Sequence, residues 1–453
     1  MHKYLILCFF LSINAFAQSS MLQPPRMLRN MTDPLDMQEQ EDSPEQHDVK
    51  EIRKAEERHT ETWGAIDPGK GVLLGKTDAG SINLSFYVLA RYMNQQPASQ
   101  SYHDHLGNKR NVDTRNDIEL HRAIMWLRGW AYDPKLEYVI NFWTVNTTKN
   151  VNIIGSIAYN FDKKFVLQAG IDGLPGARSL NGQHPYFLSG DRFMGDEFFK
   201  PGFTMGLTAR GQLTDTLFYR LMVGNALSEV GIKASQFTRN MAYGGSVWIL
   251  PTGEFGPRGG YGDYEMHDKL SSRFGISVTQ SREDRFAQPD INDNPNNTQL
   301  RLSDGVNLFD EGALAQGVTI QRANYSILSA DAAVKYRGFF FDFNYYWRWL
   351  DGFKKNGPTP EDNIFDHGFM MQTAYQIVPR KWEIYSSYTY IWGEFNNPWE
   401  VVGGFNYYPR DTRNWRLNVM VNHLEQSPVG SFFGFYTAGQ TGETVALSTD
   451  IFF

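Results

Sequence analysis

Residues 339–350, FFFDFNYYWRWL, constrain the fold of this chain more than any other stretch. Successive side chains of a β-strand point to opposite faces. One face would be wholly aromatic, with Phe339, Phe341, Phe343, Tyr345, Trp347 and Trp349. The other would be largely polar, with Asp342, Asn344, Tyr346 and Arg348. Because an aromatic face of this size has no stable place in water, the strand must meet a protein core or lipid.

The last residues of the chain repeat this two-sided pattern. Residues 442–453, GETVALSTDIFF, alternate between apolar and mostly polar side chains and finish on Phe453. An amphipathic strand that ends in an aromatic residue resembles the terminal strand of outer-membrane β-barrels, which pairs with the first strand. We therefore expect this strand to close a barrel.

Period-two segments of this kind recur along the chain, separated by turn-forming residues. Sixteen can be recognised: 81–93, 116–131, 135–147, 151–161, 164–171, 202–212, 216–225, 241–250, 271–282, 325–337, 339–350, 367–378, 381–392, 399–408, 414–424 and 442–453. An even strand number is typical of bacterial outer-membrane barrels. The pattern predicts an all-β fold, a transmembrane antiparallel β-barrel of sixteen strands.

The predicted connections alternate between tight and long. The tight ones are 133–134, 162–163, 213–215, 338, 379–380 and 409–413. The long ones are 94–115, 172–201, 226–240, 283–324, 351–366 and 425–441. Outer-membrane barrels have short periplasmic turns and long outer loops. Three connections depart from the alternation, since 148–150 and 393–398 are short and 251–270 is long.

Hydropathy excludes a bundle of membrane-spanning helices. The mean hydropathy is -0.45, yet 15% of the residues are aromatic and 11 are tryptophan. A barrel accounts for both facts, because lipid-facing and lumen-facing residues alternate and average out. A soluble β-sandwich is the alternative, but it does not explain the alternating loop lengths.

Residues 1–17 are predicted to be a secretory signal peptide. Lys3 is followed by a short apolar run and then by an A-x-A site that ends at Ala17. The only cysteine, Cys8, lies within this segment. The mature chain is therefore expected to contain no disulfide and no cysteine-bound metal.

A polar, acidic extension is predicted over residues 18–70, ahead of a barrel over 71–453. Within it, residues 33–61 hold 11 acidic and 4 basic residues. Helix-forming residues dominate 45–61, which predicts a short periplasmic helix after a disordered lead-in. The rest of the chain is nearly balanced in charge, so bulk charge indicates no selectivity.

Three stretches resemble the phosphate-selective porin O and P family. The first, FVLQAGIDGLPGARSLNGQHPYFLSGDRFMGDEFFKPGFTMGLTARGQLTDTLFYRLMVGNAL (165–227), is a strand ending in glycine, a long loop with a late Pro-Gly, and a strand pair. The second, IELHRAIMWLRGWAYDPKLEYVINF (118–142), resembles the family's early hairpin. The third, GFMMQTAYQIVPRKWEIYSSYTY (368–390), resembles its late hairpin. The likeness covers residues 80–453.

The resemblance implies a trimeric, sixteen-stranded porin in the outer membrane of a Gram-negative bacterium. In-folded loops would narrow a pore through which small hydrophilic solutes diffuse passively, with a preference for anions such as phosphate. The predicted pore-lining, anion-binding bases are Arg91, Lys164, Arg178, Arg192, Arg210, Arg220, Arg273 and Arg348, of which Arg178 and Arg192 lie in loop 172–201. Lys335 and Arg416 also fall on the inward face.

Acidic residues share the predicted interior, which departs from the pattern of an anion pore. Those on strands are Glu137, Asp331, Asp342 and Glu383. Loop 172–201 holds Asp172, Asp191, Asp196 and Glu197 against three bases. Partners other than solutes are expected to be outer-membrane lipid and two further copies of the chain.

A barrel without transport, with 283–324 as a recognition loop for adhesion, is one alternative. Small inward residues argue against it, because they would leave the interior open: Gly206, Gly244, Gly275, Ser277, Gly368 and Gly404. A barrel enzyme is another, with His121, His423 and Ser427 available, but no triad spacing frames them. We predict no catalytic site, no cofactor and no metal, and the dispersed bases predict no nucleic-acid binding.

Overall fold

We describe the protein from a computed structural model. It describes residues 71–145, 151–181, 186–227, 240–256, 260–285, 300–430 and 435–453. The predicted signal peptide and acidic extension lie outside the described residues, and so does part of loop 283–324. Those predictions remain predictions.

The described residues form β-strands almost throughout. In chain order they are β1 (Val72–Thr77), β2 (Gly80–Gln95), β3 (Ser99–His103), β4 (Lys109–Asp113), β5 (Asn116–Ala131), β6 (Asp133–Val145), β7 (Asn152–Asp162), β8 (Phe165–Gly173), β9 (Phe203–Gln212), β10 (Leu217–Gly224), β11 (Ala242–Ile249), β12 (Ser271–Asp284), β13 (Ile320–Tyr336), β14 (Phe339–Lys355), β15 (Ile364–Val378), β16 (Trp382–Trp392), β17 (Trp399–Tyr407), β18 (Trp415–Glu425) and β19 (Gly442–Phe452). A 3-10 helix (Arg178–Leu180) and one short α-helix, α1 (Met194–Phe199), lie between β8 and β9 among the described residues. Within these ranges no helix is long and apolar enough to cross a bilayer.

Sixteen of the described strands, β2 and β5 to β19, pair antiparallel with their neighbours and close into a barrel. Closure is made by β19, whose Thr444 and Phe452 lie opposite Gln95 and Tyr87 of β2. All sixteen predicted strands are therefore confirmed. Closure leaves no unpaired edge, which is a requirement for a sheet that spans lipid.

The sequence patterns did not predict β1. It pairs with the first half of β2, from Val72 opposite Leu84 to Thr77 opposite Gly80. The second half of β2 pairs with β19 instead, and the Phe86 amide donates to the Phe453 carbonyl. Strand β1 thus occupies the side of β2 that β19 leaves unpaired. Strands β3 and β4, a hairpin inside the first long loop, were also not predicted.

The alternation assigns the two faces of the wall as predicted. On β14 the aromatic face points outward, and Asp342, Asn344, Tyr346 and Arg348 are buried inside. Exposed apolar side chains continue around the outer wall, among them Leu207, Leu221, Val247, Ile276, Val401 and Val421. A closed barrel with an apolar outer belt is an outer-membrane barrel.

Strand ends lie within three residues of the predictions except at one hairpin. Strand β13 begins at Ile320 and β14 ends at Lys355, each five residues beyond its predicted bound. Ile320 lies opposite Lys355, so the hairpin stays paired above the belt, with register shifts before Asn324. The polar residues there hid the alternation in the sequence.

Candidate functional site inside the barrel

Two connections fold into the barrel from opposite rims. The inner loop (174–202, between β8 and β9) enters from the long-loop rim, and Leu180 and Phe199 are fully buried. The turn-side segment (250–270, between β11 and β12) enters from the other rim and buries Phe255 and Tyr261. The two meet where the Tyr261 amide donates to the Tyr186 carbonyl at 3.0 Å. The long connection that broke the alternation is therefore a second in-folded element.

Arg178 holds the two in-folded elements against the wall. Its guanidinium pairs with Asp342 of β14 and is fully buried. It also lies over the rings of Tyr261, at 4.5 Å, and Phe255, at 5.4 Å. Burial alone would lower the pKa of Arg178, but the Asp342 carboxylate raises it above the usual value. This predicted lining residue is thus a charged anchor.

Arg210 and Arg220 lie opposite each other on β9 and β10, but each binds its own partner. Arg210 donates to Gln168 of β8. Arg220 pairs with Asp172 at 2.5 Å and donates to the Leu180 carbonyl at 2.6 Å. Asp172, next to the last residue of β8, thus neutralises Arg220 just before the inner loop begins.

Arg91 belongs to an ion-pair network that ties the inner loop to β2 and β5. It lies 2.6 Å from Glu119 and 3.8 Å from Asp191 of the inner loop. His121 lies between these carboxylates, 3.2 Å from each, and Arg122 reaches Asp191 at 2.8 Å. Burial raises the pKa of Asp191, but the neighbouring Arg122, His121 and Arg91 outweigh it and hold the pKa well below the usual value.

Sequence reasoning missed His121 and Arg122 as inward residues because of a β-bulge. The register between β2 and β5 shifts between Leu89 and Ala90, and His121 is the extra residue on β5. A bulge lets two consecutive side chains take similar directions. Strict alternation cannot place both, and no signal in the sequence marks this bulge.

Arg192 lies within the inner loop and pairs locally. It lies 3.3 Å from Asp196 and 3.9 Å from Glu197. Burial raises the pKa of Asp196 to about 6, although the Arg192 charge and a Ser179 hydrogen bond oppose the shift. Burial therefore prevails over the ion pair at this carboxyl group.

Arg273 and Arg348 are also paired on the inner wall. Arg273 lies 3.2 Å from Asp331, and Arg348 lies 2.6 Å from Asp366. The Arg348 guanidinium also lies 3.9 Å from the ring centre of Phe198 in α1. Acids and bases thus share the interior, as the sequence predicted.

Lys164 is not on the inner wall. Strand β8 begins only at Phe165, and Lys164 lies exposed in the turn that follows β7. The Asp162 side chain accepts from the Lys164 amide at 2.7 Å, which fixes the turn. The predicted strand began one residue too early, and this wrongly placed Lys164 on the inner face.

Arg416 and Lys335 lie inside, as the alternation predicted. Arg416 pairs with Asp450 at 2.8 Å and donates to the carbonyls of Phe187, at 2.6 Å, and Ser189, at 3.0 Å. Lys335 is fully buried, 3.7 Å from Glu265 of the turn-side segment. Arg416 and Lys335 are therefore further wall anchors for the two in-folded elements.

Small inward residues admit the in-folded elements, which corrects the prediction of an open interior. A β-carbon on Gly244 would lie 2.7 Å from Pro175 of the inner loop, and one on Gly368 would lie 3.1 Å from Phe199. On Gly404 it would lie 2.3 Å from the Tyr385 ring. These glycines accommodate packed side chains, so they do not by themselves indicate an open lumen.

A cluster of Asp263, Glu265 and His267 on the turn-side segment has the donors of a metal site. Its members already have partners, since His267 lies 2.5 Å from Asp263 and Glu265 lies 3.5 Å from Arg413. The nearby Lys335 and Arg413 charges lower the pKa of Glu265 against the effect of burial. A metal ion would have to displace the Lys335 and Arg413 side chains from Glu265. We therefore interpret the cluster as a contact that fixes the turn-side segment to the wall.

The residues considered for catalysis are separated by their surroundings. His121 is buried in the interior network, whereas His423 is partly exposed beside Glu443 at 3.1 Å. The buried Ser427 hydroxyl donates to the Val429 carbonyl at 3.0 Å. This geometry offers no assembled nucleophile and base among these three.

Solved structures of other proteins share the fold. OmpT, expressed in the outer membrane of Vibrio cholerae, is 12% identical over 84% of this chain and 99% of its own, with a TM-score of 0.51. An anion-selective porin from Comamonas acidovorans is 12% identical over 83% of this chain and 100% of its own, with a TM-score of 0.49. The channel DcaP of Acinetobacter baumannii is 10% identical over 85% of this chain and 100% of its own, with a TM-score of 0.43. At this identity the likeness to OmpT shows the fold alone.

No family model matches the chain. No curated protein matches it in sequence either. The class that the fold defines is a sixteen-stranded outer-membrane β-barrel. The resemblance to the phosphate-selective family remains a prediction.

Proposed function

We propose that this protein is an outer-membrane porin through which small hydrophilic solutes diffuse passively. The observation that carries the proposal is the charged inner wall of a closed barrel. Buried ion pairs are often no more stabilising than apolar side chains of the same volume. A barrel that served only as a scaffold would not need them, whereas a pore uses fixed charges to replace part of a solute's hydration.

We propose weak ion selectivity in place of the phosphate preference that the family resemblance implies. Seven of the eight predicted anion-binding bases are engaged by carboxylates or by other acceptors in the interior. A paired guanidinium offers little net attraction to a passing anion. Assembly as a homotrimer, also implied by the resemblance, is part of the proposal.

A sealed barrel without transport is the second candidate, because packing in part of the interior favours it. Every inward side chain of β12, from Ser271 to Glu283, is buried. The same holds on β14 between Phe340 and Leu350. A non-catalytic role is proposed in both cases, since the three residues considered for catalysis are not assembled.

Liposome swelling separates the two candidates. Vesicles that contain the purified, folded barrel are diluted into an isotonic solution of a small sugar such as arabinose. A porin predicts swelling faster than in protein-free vesicles, and a sealed barrel predicts no difference. Heat-modifiable migration on a gel provides the control that the barrel is folded.

A further inference from the structure

The in-folded elements do not cover the inner wall evenly. Inward side chains are buried on β12, β13 and β16, on β14 as far as Leu350 and on β15 as far as Gln376, and α1 packs against β15 and β16. The turn-side segment lies on the same half of the barrel, where Asp263 accepts from the Gly338 amide at 2.7 Å and Glu265 meets Lys335. The opposite half of the wall is therefore the less crowded one.

On strands β6 and β7 most of the inward residues remain partly exposed. These residues, called the open sector, are Glu137, Val139, Trp143, Asn152, Ile154, Ser156 and Asn160. Asn141 and Ala158, on the same faces, are buried. Inward side chains are thus partly exposed on β6 and β7, whereas those on the paired parts of β12 to β16 are buried. The difference indicates that space remains beside the in-folded elements at β6 and β7.

The connection between the two strands of the open sector is short in sequence. Strand β6 ends at Val145 and β7 begins at Asn152, so this connection is one of the shortest on the long-loop rim. By contrast, β12 ends at Asp284 and β13 begins only at Ile320.

The side chains along the open sector have little net charge. Glu137 is the acid, and Arg128 of β5 is its diagonal cross-strand neighbour, because Arg128 lies opposite Val139. The remaining polar groups are amides and a hydroxyl, at Asn152, Ser156 and Asn160. Amides donate and accept hydrogen bonds and can replace water around hydroxyl groups.

We propose that the solute path follows the open sector and admits small uncharged polyhydroxy compounds at least as readily as anions. The inference rests on the proposed porin function and specifies where solute passes and which solute class fits. Trp143 lies opposite Asn152 and packs against Phe203. It places an aromatic ring beside the amides, a combination suited to a sugar ring.

Cysteine modification during planar-bilayer recording tests the path. In a Cys8→Ala background, Ser156→Cys and Asn160→Cys place thiols in the open sector. Ser329→Cys is the matched control, because Ser329 is also inward but buried on β13, where it donates to the Gly176 carbonyl at 3.0 Å. A charged methanethiosulfonate reagent should remove most of the current through the two open-sector variants and leave that through Ser329→Cys unchanged.

The outcomes separate this inference from the porin proposal. Current that persists after confirmed modification of both open-sector thiols would show that solute passes elsewhere, and the porin proposal would stand. Block at Ser329→Cys alone would move the path to the β13 wall and overturn the inference. A folded barrel that carries no current would overturn both. For the solute class, vesicles should swell in arabinose at least as fast as in sodium phosphate; faster swelling in phosphate would contradict it.

Discussion

Arg210 and Arg220 stand directly opposite each other on β9 and β10 and yet serve different partners. Arg210 turns to Gln168 on β8. Arg220 turns to Asp172 and to the carbonyl of Gly173, at 2.8 Å. Two adjacent guanidinium groups could have formed one anion site. Their separate acceptors instead make Arg220 an attachment point for the inner loop.

Replacing Arg220 should therefore reduce stability more than replacing Arg210. Arg220→Gln leaves the buried Asp172 carboxylate without its charged partner, a change that typically costs about 3–5 kcal/mol. Arg210→Gln removes a hydrogen bond to the neutral Gln168, and the loss of such a bond typically costs less than an unpaired buried carboxylate. Urea unfolding of both variants in detergent checks the order. Equal losses of stability in the two variants would contradict this order. A lower anion permeability in either variant would show that these arginines line the solute path.

The lipid-facing register of β14 predicts a depth-dependent effect of charge. Phe343 points outward near the middle of the aromatic run from Phe339 to Trp349, so Phe343→Arg should cost about 2–4 kcal/mol, whereas Trp349→Arg, at the end of that run, should cost about 0–1 kcal/mol. The inward Asn344 is not a suitable control, because it is buried and donates to Asp342 at 2.6 Å. Folding free energies in lipid vesicles measure both costs. A larger loss at Trp349 would place the belt elsewhere on the strand.

Two carboxyl groups of the inner loop should respond to pH with opposite signs. The folded pKa of Asp196 is raised from 3.8 to about 6. Its contribution to stability is complete below the unfolded pKa and is lost as pH rises through the folded pKa. Asp196→Asn should therefore stabilise the barrel at neutral pH and flatten the decline between about pH 4 and about pH 6.

Asp191 provides the contrast, since its folded pKa is well below 3.8. Its contribution is present above the unfolded pKa and is lost only as pH falls through the folded pKa. Asp191→Asn should thus destabilise the barrel at neutral pH, where Arg91 and Arg122 would lose a charged partner. Thermal unfolding at a series of pH values tests both variants. Unchanged pH dependence in Asp196→Asn would show that another group is responsible.

The orientation of the barrel can be tested with single cysteines. The tight turns are expected in the periplasm, so Lys164→Cys should be protected from an impermeant thiol reagent in intact cells. Lys354→Cys, exposed on the long-loop rim, should react. Gly338 is a poor site for this purpose, because its φ is 86° and a β-carbon would lie 2.9 Å from Gln376. If Lys164→Cys is labelled and Lys354→Cys is protected, the tight turns face the outside and the predicted topology is wrong.

The barrel itself could be predicted from the sequence because its signal is local. Each strand alternates residue by residue, and Phe339 to Trp349 place their rings on one face whatever the neighbouring strands do. The paired ends near Ile320 and Lys355 escaped prediction, since above the lipid belt both faces can be polar. Strand β1 was also not predicted, because Val72, Leu73 and Leu74 are consecutive apolar residues and show no alternation.

The interior could not be predicted, because its contacts join residues far apart in the chain. Arg178 meets Asp342 across 164 positions, and Arg416 reaches the Phe187 carbonyl across 229. Alternation indicates that such residues point inward but not which loop will occupy the space beside them. Inward glycines such as Gly244 therefore suggested an open lumen where the inner loop is packed.

Ion current through the reconstituted protein tests the porin proposal most directly. Purified barrel is added to a planar bilayer separating two potassium chloride concentrations, and single-channel steps and the reversal potential are recorded. The proposal predicts discrete, long-lived conductance steps with a reversal potential close to zero, because the lining bases are paired with acids and other acceptors. A folded, inserted barrel that gives no steps would contradict it and favour a sealed barrel. A strongly anion-selective reversal potential would contradict the assignment of weak selectivity.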